Sequence, residues 1–125
     1  MSNLLAVAAG GALGAVLRYL VVSAVSVPGW TFPYGTLIVN VAGSLALGLL
    51  AGYWVAAGQP VPSIRLFFQT GVLGAFTTFS AFSLDTMVLW QNGQALPALA
   101  NALLNVLLCL MAVGSGLLVG AMLHR

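Results

Sequence analysis

An all-α membrane protein of four transmembrane helices, the third broken near its middle, is the fold class the sequence predicts, and three observations predict it. Hydrophobic residues make up 62% and charged residues 3% of the 125 positions, whereas soluble domains are roughly one quarter charged. The apolar residues gather into four runs at about 3–27, 35–57, 65–90 and 97–123, separated by short loops and forming a single domain with no soluble part. Each run is long enough to cross a bilayer, which takes about 20 helical residues. The third run contains Gly71 to Ser83, GVLGAFTTFSAFS, where glycines beside β-branched threonines weaken a helix. Unwound backbone at membrane depth survives only against protein or a water-filled cavity, so this break is the candidate ion or substrate site.

The first span, Asn3 to Val27, carries Gly10 and Gly14 at the GxxxG spacing that lets another helix approach closely. It lacks the positively charged start of a signal peptide and runs on past Arg18, so it is expected to stay in the mature chain. Arg18 is costly in lipid and predicts either an interfacial anchor beside Tyr19 or a vestibule-lining charge. Pro28, Gly29 and Pro33 mark the first loop, with Trp30 and Tyr34 as an aromatic belt.

In the second span, Gly35 to Ala57, Asn40, Gly43 and Ser44 share one face that should meet protein. A buried Asn here glues helices, and its amide can also donate two hydrogen bonds to an anion. The second loop holds Gln59, Pro60 and Pro62, with Ser63 expected as an N-cap and Arg65 as an interfacial charge.

The third span holds five of the six phenylalanines. Beyond its break, Phe79 and Phe82 share a helical face while Ser80 and Ser83 repeat the spacing on the next stripe. Asp85 near its far end is expected to face the interface or cap a neighbouring helix. After the QNGQ loop, Pro97 suits the first turn of the fourth span. There Asn101, Asn105 and Cys109 recur every four residues, a polar stripe suited to a wet path or a helix contact.

Charge narrows the function. A net charge of +2 from three arginines against one carboxylate is too sparse for a nucleic-acid surface. The single cysteine cannot form an intrachain disulfide or a multi-cysteine metal site. His124 is the only histidine and no acid–base pair exists, so no enzyme is expected. An even number of spans puts both termini with Arg65, His124 and Arg125, and Arg18 lies toward the other side. So small a bias hardly dictates orientation, so insertion both ways is reasonable, and two oppositely inserted copies would create the inverted repeat the single chain lacks.

The segments GGALGAVLRY (Gly10 to Tyr19), FPYGTLIVNVAGS (Phe32 to Ser44) and GVLGAFTTFSAFS closely resemble the small bacterial fluoride channels of the Fluc or CrcB family, across all four spans. The resemblance implies an antiparallel dual-topology homodimer in the bacterial inner membrane. It also implies two narrow pores that pass fluoride down its gradient and so protect the cell, with a structural sodium ion at the dimer centre. It places the pore asparagine on Asn40, the pore phenylalanines on Phe79 and Phe82, and the polar track on Ser80 and Ser83, with Thr36 a further candidate. The sodium-binding carbonyls fall on Gly74 and Thr77, and the first-span arginine on Arg18. Ala81 replaces a threonine of the family pattern, and Asn101, Asn105 and Cys109 stand where tyrosine, serine and a small residue are common.

Amides, hydroxyls and the positive edges of phenyl rings can each replace part of an anion's hydration shell without a fixed cation that would trap it. The choice of fluoride rests on the resemblance alone. The competing class, a small dual-topology proton-coupled multidrug exporter, needs an intramembrane carboxylate; the chain has no glutamate and Asp85 lies off centre. A structural membrane protein would explain the GxxxG spacing but not the break flanked by hydroxyls.

Overall fold

The computed structural model describes residues 2–124; Arg125, one of the charges in the topology argument, lies outside them. The chain forms α1 (Ser2–Val25), α2 (Tyr34–Ala57), a composite third span and α6 (Ala95–Met122). The third span covers Pro62–Gln91, and all four spans are long and apolar enough to cross a membrane. It comprises α3 (Pro62–Arg65), a π-helical segment (Leu66–Leu73), α4 (Gly74–Phe76) and α5 (Phe79–Gln91).

Local chemistry sets the ends. Pro62, not the residue after a Ser63 cap, opens α3, with Val61 as N-cap and no side-chain cap bond. Proline suits this position because its missing N–H would have been unpaired anyway, so the expected Ser63 cap is corrected. Gly93 closes α5 at φ 75°, a left-handed conformation that costs glycine nothing, and its N–H returns to the Trp90 carbonyl at 3.0 Å.

Burial is inverted relative to a soluble protein. The buried apolar side chains are Val39, Trp54, Leu89 and Ala98, while Thr36, Asn40, Thr78, Asn101 and Asn105 are buried polar ones. In lipid, apolar side chains gain nothing by leaving the surface, so helices associate through close packing and interhelical hydrogen bonds. Glycines supply the close packing. A Cβ on Gly48 would lie 2.3 Å from the Val113 carbonyl oxygen and one on Gly120 would lie 2.2 Å from that of Leu49, which locks α2 onto α6. Gly10 and Gly14 do the same for α1, whose added Cβ atoms would lie 2.4 Å from Phe67 O and 2.1 Å from Val72 O. The GxxxG spacing is thus used inside the chain, against the π-helical segment.

That segment was not legible in the sequence. Its widened turns are seen where the Gly74 N–H donates to the Gln69 carbonyl, five residues back. Both Gln69 and Thr70 remain exposed on its outer face.

Candidate functional site

The break falls at Thr77 and Thr78. Thr77 still donates its N–H to Leu73 O at 3.1 Å, but its ψ of 158° turns the chain out of the helix, and Thr78 is fully extended at φ −153°, ψ 117°. The Thr78 N–H then donates to Asn40 Oδ1 at 2.8 Å, and Asn40 Nδ2 donates to the Thr78 carbonyl at 3.1 Å. The α2 carboxamide thus pairs with both backbone groups of the unwound residue, as a neighbouring β-strand would. Without it, the Thr78 N–H would be unpaired at membrane depth, at a cost of several kcal/mol. Thr78 also restarts the helix, its Oγ1 accepting the Ala81 N–H at 3.2 Å as the N-cap of α5.

Among the carbonyls that the break frees are those of Gly74 and Thr77. In a continuous helix the Gly74 carbonyl would accept from Thr78 N–H and the Thr77 carbonyl from Ala81 N–H. Those donors go to Asn40 and to the Thr78 hydroxyl instead. The nearest donor to the Thr77 carbonyl is Arg18 Nη1 at 3.5 Å, a distance at which a hydrogen bond is weak.

From Asn40 a single-direction chain of side-chain bonds crosses the bundle. Asn40 Nδ2 donates to Asn105 Oδ1 at 2.9 Å. Asn105 Nδ2 donates to both the main-chain and side-chain oxygens of Asn101 at 3.0 Å. Asn101 Nδ2 donates to Thr86 Oγ1 at 2.9 Å, and that hydroxyl donates to the Phe82 carbonyl at 2.8 Å. The α6 stripe is therefore a helix contact at Asn101 and Asn105. The i, i+4 spacing announced the stripe, but nothing in the sequence could pair it with Asn40.

A groove of about 410 Å³ opens beside the break. Its wall brings together Asn40, Gly74, Thr77, Phe79 and Phe82, with Gln69, Asn105 and Cys109 beside them. Phe79 is 77% exposed and leans on Phe82 with ring centroids 5.2 Å apart. Both Asn40 amide hydrogens are already engaged within the chain. Ser80, Ser83 and Arg18 are not on this wall. The Ser80 hydroxyl pairs with that of Thr78 at 3.2 Å, and the Ser83 hydroxyl donates to the Phe79 carbonyl at 2.9 Å.

Asp85 lies elsewhere, in a pocket of about 240 Å³ that it shares with Thr36, Trp30 and Tyr34. Thr36 Oγ1 donates to Asp85 Oδ2 at 2.7 Å. Since Thr36 belongs to the first turn of α2, the carboxylate sits where the helix dipole favours it.

Comparison with known proteins completes the description. Residues 5–117 match the family described as CrcB-like protein, Camphor Resistance (CrcB). A protein of Hahella chejuensis is 50% identical over 116 residues, covering 92% of this chain and 91% of its own. Relatives in Rhizobium meliloti and Shewanella amazonensis are each 48% identical over 118 residues, covering 93–94% of this chain and 94% of their own. All three carry the name fluoride-specific ion channel FluC. With the match spanning all four helices and the broken third span between them, the chain belongs to the CrcB-like protein family.

Proposed function

We propose that the chain is a passive fluoride-selective channel that lets fluoride leave the bacterial cell down its gradient across the inner membrane. Relatives similar over nearly the whole chain are named as fluoride-specific channels, which supports the choice of ion. One observation carries the route: the break sets Asn40, Phe79 and Phe82 on the wall of a single groove. Ring edges and an amide can together replace water around a small anion while leaving it free to move on. Ser80 and Ser83 extend this route beyond the groove wall as a track of hydroxyls, whereas Thr36 gives its hydroxyl to Asp85 in a separate pocket; Arg18 lends positive charge to the mouth. The test is efflux from proteoliposomes followed with fluoride- and chloride-selective electrodes. Fluoride should leave far faster than from protein-free vesicles while chloride stays at background; equal rates for the two ions would overturn the selectivity.

The working unit in this proposal is an antiparallel homodimer. The groove is open on one side, and Gly74, Gln69 and Thr70 are exposed at mid-span. Lipid does not tolerate irregular backbone, which supports a second copy as the missing wall. Arginines added to one terminus should impose a single orientation, and a variant so forced and expressed alone should not conduct. The freed Gly74 and Thr77 carbonyls fit a small hard cation, and two from each copy would give sodium four oxygens on the two-fold axis. Such an ion would add fixed positive charge at the dimer centre. The Arg18 guanidinium competes for the Thr77 carbonyl, so this reading requires that weak 3.5 Å contact to yield. A high-resolution map of the dimer with water in place of the ion would refute it.

A further inference from the structure

The bond between Asn40 and Asn105 lies in the groove wall, since both residues line it. Asn40 is 9% exposed and Asn105 5%, so neither amide has bulk water as an alternative partner. Of the two Asn40 N–H groups, one is tied to the Thr78 carbonyl in the two-bond clamp that holds the break. The other goes to Asn105 Oδ1 at 2.9 Å. An anion in the groove can therefore obtain an Asn40 N–H without undoing the break only by taking the one that Asn105 holds. Asn105 itself cannot turn an N–H outward, because its Nδ2 is committed to the two oxygens of Asn101 at 3.0 Å.

We propose that Asn105 is an internal competitor for the permeating anion, holding the second N–H of Asn40 while the groove is empty and ceding it when an anion arrives. This rests on the reading of Asn40 as a pathway residue. The physical need is two-sided. A buried N–H left bare is costly, and a bare N–H waiting for an anion would also bind it too well to release it, whereas conduction needs binding weak enough to leave. An acceptor that must be displaced meets both requirements. The cost of leaving Asn105 Oδ1 without that donor is what weakens anion binding. Asn105 is thus a positioning residue that tunes anion affinity through Asn40.

The experiment measures initial fluoride efflux against internal fluoride concentration, giving a half-saturating concentration and a maximal rate. Asn105→Val preserves much of the bulk and removes the acceptor. It should lower the half-saturating concentration about threefold to tenfold, the worth of one neutral hydrogen bond, and lower the maximal rate with it. Asn105→Thr, which keeps an oxygen acceptor, should shift the half-saturating concentration by less than about twofold. A Val variant with an unchanged or raised half-saturating concentration would mean a packing role and overturn the proposal. So would failure of both variants to purify folded, since Asn105 would then be structural. Asn40→Ala is the companion control: if it conducts like the parent, the pathway reading has failed, whereas if it is dead while Asn105→Val keeps the parental half-saturation, only the competitor role has failed.

Discussion

Replacing Asn40 by aspartate changes one atom and tests both jobs given to this side chain. The substituted carboxylate keeps an oxygen for the Thr78 N–H, now 2.8 Å away, so the break retains one of its two clamps. It loses the donor, and the former Nδ2 contacts to Thr78 O at 3.1 Å and Asn105 Oδ1 at 2.9 Å become oxygen facing oxygen. Two net hydrogen bonds at about 1 kcal/mol each, plus at least one buried acceptor left unpaired at about 1 to 3 kcal/mol, amount to about 3 to 5 kcal/mol of local destabilisation. For conduction the penalty is electrostatic. An ionised carboxylate about 4 Å from a passing anion raises its energy by about 4 kcal/mol at an effective dielectric of about 20, a slowing of about a thousandfold. The assay pairs fluoride efflux from liposomes with thermal melting of the purified protein in detergent. The variant should still purify as a folded assembly, melt at lower temperature and conduct at the level of empty vesicles. Flux equal to that of the parent from folded protein would remove Asn40 from the anion path, and an unchanged melting temperature would refute the clamp.

Phe79→Ile and Phe82→Ile keep most of the apolar bulk but remove the positive ring edge, so each should purify normally and lose most fluoride flux; parental flux in both would leave these rings a packing role. Gly14→Ala would place a Cβ 2.1 Å from Val72 O, whereas Gly11→Ala meets nothing within 4 Å. The first should cost about 1 to 3 kcal/mol as α1 is pushed off the π-helical segment, and the second should be neutral or stabilising by up to about 1 kcal/mol. Melting temperatures of the two variants that do not differ in this order would contradict the packing described. Cys109 is the only cysteine and lines the groove, so a charged methanethiosulfonate reagent should block flux in the parent and spare Cys109→Ala; complete labelling by mass spectrometry with undiminished flux would place Cys109 off the route.

The four spans and the location of the break are written in the chain itself. Length and apolarity define a bilayer-crossing run because the hydrocarbon has a fixed thickness, and the β-branched pair Thr77 and Thr78 weakens the helix locally, where the break falls, while Gly74 just before it stays helical. The face of Asn40, Gly43 and Ser44 was legible too, because the helical period alone groups them, and in the structure Gly43 meets the Thr77 side chain while Asn40 meets the Thr78 backbone. The cap of α3 lies two residues before the expected Ser63, at Val61, because the missing N–H of Pro62 suits the first helical position better than the hydroxyl of Ser63 suits the cap.

What only the tertiary structure decided are the pairings between elements distant in sequence. Periodicity shows that Asn101 and Asn105 share a stripe, but the partner of that stripe depends on how α6 is rotated against α2. The close approaches of Gly48 to Gly116, of Gly52 to Leu117 and of Gly120 to Leu49 set that rotation. The direction of each carboxamide is likewise decided by its partners: Thr78 offers both a donor and an acceptor, so Asn40 must point its oxygen at one and its nitrogen at the other. The π-helical segment, too, belongs to the assembled bundle, where Gly71 packs directly on Gly10. Local preference acts through a residue's own backbone and can be read one position at a time, whereas a hydrogen bond across 65 residues, such as that from Asn40 to Asn105, exists only once packing has brought its two ends together.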